Sequence, residues 1–379
     1  MDIYYKNYNM KKLIISTVGT SLITNPASKP EVDLLYKNSN FNELECPDEI
    51  KALIDKLFSD IVSKLDNLDN HSIRRMSAEL NGIYGIYNEE LQNNELDIHY
   101  LISTDTYQGF KSAEVIKDYL QKKGFAADIY SPQNLSTKSK ESFSAGVKEL
   151  LKWCDENLQS YKNNGFQIIF NLTGGFKSLQ GVMNTIAMFY ADKITYIFES
   201  PLVELIEIPR LPIILDQSPF DQYKTQLLLL QNNKEYDLTE FSSFPEALID
   251  VIDNKVMLSV WGELIWNQIK YNLYDKLPNL PFISYEPDFT NKFHNEVDKK
   301  KKFNLLETIA KVAVILEDNQ GNPKELNRGG IQYSPLESKS YKGQPLYHFR
   351  SNLGTRINCI SQNKKLVLTE FGTHDQTQK

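Results

Sequence analysis

The sequence predicts an α/β protein in three parts. Residues 1–215 read as a mostly parallel, doubly wound sheet, 216–285 as a helical section, and 286–379 as an α+β module with an antiparallel sheet. Three observations predict this. Short apolar runs alternate with helical apolar spacing through the amino-terminal part, as in strand–helix–strand units. Pro209, Pro212 and Pro219, and later Leu277-Pro278-Asn279-Leu280-Pro281, interrupt that pattern. After the second break, a helical stretch gives way to period-two segments separated by turns containing Gly or Asn.

The elements follow in order. Lys12 to Val18 is a buried first strand ending in Gly19-Thr20-Ser21, and Glu49 to Leu65 is an amphipathic helix with apolar residues at Ile50, Leu53, Ile54, Leu57, Ile61 and Leu65. A mixed polar stretch through Asn94 has helical character around Ile73 to Leu80. Ile98 to Ile102 is a second strand, ending in Ser103-Thr104-Asp105, with a helix from about Phe110 to Lys122. Ala126 to Tyr130 is a third strand, Ser144 to Asn157 a helix, Phe166 to Phe170 a fourth strand and Ile194 to Phe198 a fifth. The fourth strand runs into Asn171-Leu172-Thr173-Gly174-Gly175-Phe176-Lys177-Ser178, after which Leu179, Val182, Met183, Ile186 and Phe189 recur at helical spacing.

That Gly-rich turn is the most informative stretch. Ligands bind beyond strand ends in open α/β sheets, and free N–H groups at a helix start attract anions. Paired glycines permit close backbone approach, and Lys177 adds a positive charge. It is not a Walker loop, since Phe176 stands directly before the lysine, where that motif needs a glycine. A tight turn with a capping Thr or Ser is the alternative reading. Parallel strands would bring the turns at Gly19, Ser103 and Thr173 to one edge, rich in hydroxyls and nearly free of carboxylates. Such an edge suits phosphates or sugar hydroxyls.

A Gly-Thr-Ser turn after the first strand, followed by Asn-x-Thr-Gly-Gly-x-Lys after a central strand, resembles the CRISPR-associated Rossmann-fold (CARF) sensor domains. The resemblance covers about residues 11–215, with Val203 to Ile214 as a closing pair of strands. It implies a Rossmann-like homodimer that binds a cyclic oligoadenylate across its two-fold axis, the tetra-adenylate ahead of the hexa-adenylate. Thr20 and Ser21 would match the first ligand turn, and Ser103 and Thr104 a second. Asn171, Thr173, Gly174, Gly175 and Lys177 would match the third.

Tyr223 to Leu230 and Phe244 to Ile269 are apolar at helical spacing, which makes residues 216–285 a helical connector. Phe289 to Leu316 is a long helical stretch interrupted by Lys299-Lys300-Lys301-Lys302. In Leu346 to Arg350 the period is two, with Tyr347 and Phe349 on one face and Leu346, His348 and Arg350 on the other. In the next strand Ile357 and Cys359 would point inward, Arg356 and Asn358 outward. Residues 286–379 carry 15 Lys plus Arg against 11 Asp plus Glu, and the remaining residues 27 against 38, so the carboxyl-terminal module is the one suited to a polyanion. His348, Arg350, Arg356 and His374 gather at or beyond these strands with no acidic cluster for a metal. Such groups support RNA cleavage by the neighbouring 2′-hydroxyl: histidines move protons and arginines stabilise the added charge. Surface histidines and salt-bridged arginines on a small sheet are the alternative.

Tyr347-His348-Phe349-Arg350, Gly354-Thr355-Arg356 and Gly372-Thr373-His374-Asp375 resemble the late strands of RelE-type toxin domains. That resemblance implies a metal-independent endoribonuclease cutting messenger RNA on the ribosome. Arg356 would stabilise the transition state, His374 would be the closing basic residue, and His348 and Arg350 would supply the base and orient the substrate. The family often has lysine where His348 stands. Lys339 and Lys342 are further RNA-binding candidates.

Together these readings describe a fusion of sensor and mRNA interferase, with no cofactor and with cyclic oligoadenylate as activator. Two alternatives are a CARF transcriptional regulator and a ring nuclease that degrades its ligand at the sensor site. A DNA-binding middle section would need a basic recognition helix, yet residues 240–270 contain only Lys255 and Lys270 as cations. Cys46, Cys154 and Cys359 form no paired motif, which fits a reducing cytoplasm. No apolar run approaches the roughly 18–20 residues of a membrane span.

Overall fold

The structure is a computed structural model that describes residues 10–91, 96–197, 204–327, 330–352 and 354–377; the side chains of Ser338 and His374 lie outside the described part. The chain forms two compact units, Met1–Ile214 and Leu215–Lys379.

In the first unit the elements run β1 (Lys12–Thr17), α1 (Ser21–Thr24), α2 (Lys29–Lys37), α3 (Asp48–Leu65), α4 (Asn70–Met76), α5 (Ala78–Ile86), β2 (Ile98–Ile102), α6 (Tyr107–Lys122), β3 (Ala126–Tyr130), α7 (Lys140–Asn163), β4 (Gln167–Asn171), α8 (Lys177–Tyr190), β5 (Lys193–Ile197) and β6 (Leu205–Pro209). The strands lie in the order β3-β2-β1-β4-β5-β6. All neighbours are parallel except β6, which is antiparallel to β5. The mostly parallel sheet is therefore as expected.

β1 is central, and Leu13, Ile14 and Ile15 are fully buried, as a strand covered on both faces must be. Burying each such side chain contributes about 1.5–3 kcal/mol. The chain leaves β1 toward β2 and β3 on one side, and later takes β4 and β5 on the other. The direction of winding reverses between β1 and β4, and the strand ends there open a crevice. One expectation fails: Val203 lies outside the described residues, and 210–214 forms no second closing strand. Pro209 and Pro212 lack the N–H that a ladder needs.

At the opposite, amino-terminal edge of this sheet lies a buried polar group. Tyr87 donates to Asp97 Oδ2 (3.0 Å), and the tyrosine oxygen lies 3.2 Å from His99 Nε2. Since the tyrosine proton goes to Asp97, His99 Nε2–H is the donor in that second bond. Burial, with Lys12 nearby as a smaller cause, pushes the His99 pKa down to about 3. The folded state thus refuses a proton that the unfolded chain accepts below its ordinary value. Stability is unaffected by His99 above about pH 6.5 and declines as pH falls toward 3, by about 1.4 kcal/mol per unit. Urea unfolding at pH 7 and pH 5 should show a loss about 2 kcal/mol smaller in His99→Gln than in the wild type. Equal losses would remove His99 from the pH dependence.

The second unit contains α9 (Ser218–Gln222), α10 (Lys224–Leu230), β7 (Ile249–Ile252), β8 (Lys255–Leu258), α11 (Val260–Ile269), β9 (Ile283–Tyr285), α12 (Pro287–Asn295), α13 (Lys299–Asp318), β10 (Ser334–Tyr341), β11 (Gln344–Arg350), β12 (Arg356–Gln362), β13 (Lys365–Gly372) and α14 (His374–Thr377). Strands β10 to β13 form an antiparallel meander, and β9 adds to β13 in parallel. One apolar cluster takes in side chains from both the 216–285 section and the carboxyl-terminal module, including Leu227, Leu228, Trp266, Phe289, Ile309, Phe349 and Phe371. α13 runs through it, with Phe303, Leu306, Ile309, Ala310, Val312, Ala313 and Leu316 all buried.

Here the sequence misleads in three places. The helix expected over 244–269 is confined to α11, because Asp253 and Asn254 adopt positive φ (50° and 64°) and close the two-residue hairpin between β7 and β8. The break in the long helical stretch falls at residues 296–298, before the lysines; Asp298 then caps α13 by accepting from Lys301 N (3.0 Å). Asn358 is buried rather than solvent-facing, since α14 covers it and its Nδ2 donates to Thr377 O (2.9 Å).

Candidate functional site

In the first unit, the ends of β1 and β4 are locked together before any ligand is considered. Asn171, fully buried, donates through Nδ2 to Ser16 Oγ and to Glu79 O, both at 3.1 Å, and its Oδ1 accepts from the Thr173 hydroxyl (2.8 Å). The Thr17 hydroxyl donates to Gly174 O (2.5 Å). Gln180 on α8 brings Nε2 to 3.1, 3.4 and 3.1 Å from the carbonyls of Leu172, Thr173 and Gly174. Gly175 has φ +99°, a conformation that side chains disfavour. A Cβ on Gly19 would come within 3.0 Å of Gly175 N, so the first and third turns touch through their glycines.

Behind them lies a residue that the sequence reading did not single out. Glu79, in the first turn of α5, is fully buried. Its Oε1 accepts from Gly19 N (2.7 Å), and its Oε2 accepts from the hydroxyls of Ser21 (2.9 Å) and Ser77 (2.7 Å). The expectation of an edge nearly free of carboxylates therefore needs correction: a carboxylate lies at its centre, shielded from solvent. α5 approaches this closely because it carries Gly82, where a Cβ would meet Asn171 Oδ1 at 2.1 Å.

The predicted residues divide by access. Thr20, Ser21 and Gly175 are half-buried at the open side, and Lys177 is exposed. Asn171 and Thr173 bind each other and the frame. Ser103 and Thr104 are buried; the Thr104 hydroxyl shares a hydrogen bond with Thr106 (2.9 Å), which caps α6, while Ser103 Oγ has no partner among the described residues. α8 begins at Lys177 after the N-cap residue Phe176, with no side-chain cap and no acidic residue in its first turn. A helix start of this kind leaves its first N–H groups and the positive end of its dipole for an anion, and Lys177, exposed, is its first residue.

In the second unit, Arg350 and Arg356 are directly paired across β11 and β12, and Arg356 faces Gly372 of β13. Paired residues share a face, and like charges so placed repel. Among the described residues neither arginine has a carboxylate partner. His348, two residues before Arg350, shares that face; its Nε2 lies 3.4 Å from Ser334 Oγ and it pairs with Asn358. His374 opens α14 just beyond Gly372. Lys292, also missed in the sequence, reaches Glu370 (3.4 Å) and lies where a Cβ on Gly372 would meet its Nζ at 3.2 Å. A small pocket beside this end of the sheet is lined by Phe293, Glu296, Lys301, Lys302, Ser351, Asn352 and Thr355 among others, with Lys301 paired to Glu296.

Lys339 and Lys342 are not part of this group. Lys342 lies in the β10–β11 turn, on the far end of β11 from Arg350, roughly 20 Å along the strand at about 3.3 Å per residue. It is paired with Glu286 (2.8 Å). Lys339 lies on β10 three residues before it.

Among the described residues no helix is long and apolar enough to cross a membrane. Residues 74–211, from α4 through β6, match the family model described as CRISPR-associated protein (Cas_APE2256). The matched span holds Glu79, the Ser103-Thr104 turn and the whole Asn171–Lys177 turn, so this part of the chain is similar to a CRISPR-associated protein.

Proposed function

We propose that the chain is a CRISPR defence effector whose first unit binds cyclic oligoadenylate and whose second unit is a metal-independent endoribonuclease. The observation that carries the first half is the uncapped start of α8 at the β1/β4 crevice, with Lys177 exposed beside it, in a span similar to a CRISPR-associated protein. Ligand phosphates are held by the α8 N–H groups and Lys177, while the Gly174-Gly175 turn lets the ring approach the backbone. A homodimer supplies these contacts twice to a two-fold ligand.

The second half rests on Arg350 and Arg356, placed side by side without a carboxylate to neutralise them. A scissile phosphate takes that position. His348 removes the proton from the neighbouring 2′-hydroxyl, whose oxygen attacks phosphorus. Arg356 stabilises the added negative charge, and His374 gives a proton to the departing 5′-oxygen. The products are a 2′,3′-cyclic phosphate and a 5′-hydroxyl, and the balance needs no metal. Messenger RNA on the ribosome is the substrate in this reading. A DNA-binding role for the middle section is less well supported, because Lys255 of the β7–β8 hairpin is neutralised by Asp237 (2.9 Å) and Glu235 (3.6 Å).

Titration with cyclic tetra-adenylate tests the sensor half. Lys177→Ala changes an exposed side chain, so it should leave folding intact while weakening binding between about tenfold and a hundredfold, the range of a charge-assisted hydrogen bond. Wild-type affinity in this variant would take phosphate recognition away from the α8 end.

A further inference from the structure

The hydrogen-bond inventory around Glu79 determines what the first turn can offer a ligand. A carboxylate only accepts, so the hydroxyl protons of Ser21 and Ser77 must both point at Oε2. Ser21 Oγ also accepts from Ala78 N (3.0 Å). Its one proton is used and one lone-pair direction remains, on a half-buried residue at the open side of the crevice. Ser21 therefore cannot donate to a phosphate.

We propose that Glu79 is a positioning residue that fixes Ser21 as an acceptor, so that the first turn recognises a hydrogen-bond donor of the nucleotide, leaving phosphate to α8. The inference rests on the sensor reading above. The nucleotide donors available are the ribose 2′-hydroxyl and the adenine 6-amino group.

Glu79→Gln inverts this polarity with little change in shape. The amide oxygen still accepts from Gly19 N, and its NH2 group donates to Ser21 and Ser77. Ser21 then has its own proton free, while its acceptor positions are filled by Ala78 N and the amide. The test measures affinity for three probes: cyclic tetra-adenylate, its 2′-fluoro analogue and the analogue lacking the 6-amino groups. Wild type should bind one of the two analogues about tenfold more weakly than the parent, the loss of one hydrogen bond per recognised group. Which analogue is weakened identifies the donor. In Glu79→Gln the difference should shrink to about twofold or less with the thermal midpoint kept at the wild-type value, so that lost polarity and not lost rigidity is its cause. Ser21→Ala, which needs no change at the buried carboxylate, should abolish the same discrimination and decides the matter if Glu79→Gln fails to fold.

Wild-type discrimination in both variants, or equal binding of all three probes by the wild type, overturns the assignment to Ser21 and Glu79 alone. A wild-type protein that binds none of the probes overturns the sensor reading, and the assignment with it.

Discussion

Gly174→Ala is expected to lower the stability of the first unit by about 3 kcal/mol, a shift of roughly 6–12 °C in Tm, and to weaken ligand binding at least about tenfold. The added Cβ would lie 2.2 Å from Glu79 Oε1, 2.5 Å from Cδ and 2.6 Å from Cγ. The obstacle is not the loose end of a flexible side chain. Glu79 is held by Gly19 N, Ser21 and Ser77, so relief requires either breaking those bonds in a buried place or lifting the turn off the sheet. Lifting the turn moves Gly175 and the start of α8, and with them the end of the crevice proposed to hold the ligand's phosphates. Gly181→Ala is the control: it lies on the same helix, with nothing within 4 Å of its added Cβ. It should be neutral or stabilising by up to about 1 kcal/mol, since alanine favours helix over glycine. Equal thermal midpoints for the two variants would show that the turn does not rest on Glu79 as described.

Arg356→Ala should separate stability from activity in opposite directions. Removing one of two directly opposed arginines relieves a repulsion, so folding should be unchanged or firmer by up to about 1 kcal/mol. Ligand-stimulated RNA cleavage should nevertheless fall by about 10²–10³-fold, as when one preorganised donor to a developing charge is lost. Thermal unfolding and cleavage assays on the same preparation check both. A marked loss of stability would make Arg356 a structural residue. Full activity would place the chemistry elsewhere.

The contrast between what was legible and what was not follows from sequence distance. The parallel sheet could be read because each strand carries its own apolar run, and the Gly174-Gly175 turn because its residues are consecutive. Glu79 could not be read so directly: its partners Gly19 and Ser21 lie about sixty residues earlier, a pairing that no local pattern encodes. A partial signal was present, since Ser77 followed by Glu79 marks a helix start, and Gly82 and Gly85 one turn apart mark a face pressed against something.

The β7–β8 hairpin was hidden for a different reason. The apolar spacing across 244–269 suits a helix, whereas the signal that decides otherwise is confined to two residues, Asp253-Asn254. Arg350 and Arg356 were legible as strand residues, but their direct opposition depends on register, which the turn sets. Asn358 shows the limit of alternation: it lies on the face predicted for it, yet α14 covers it there while Arg350 on the same face stays exposed.

The central claim is that ligand at the first unit controls cleavage by the second, which requires the ligand to bind the active arrangement more tightly than the inactive one. The most direct measurement is the rate of RNA cutting by the full chain, on programmed ribosomes and on free RNA, with and without cyclic tetra-adenylate. The account predicts slow cutting without ligand and at least about tenfold faster cutting with it, a differential affinity of about 1.4 kcal/mol. Equal rates with and without ligand, or tight ligand binding with no cleavage of either substrate, would contradict it.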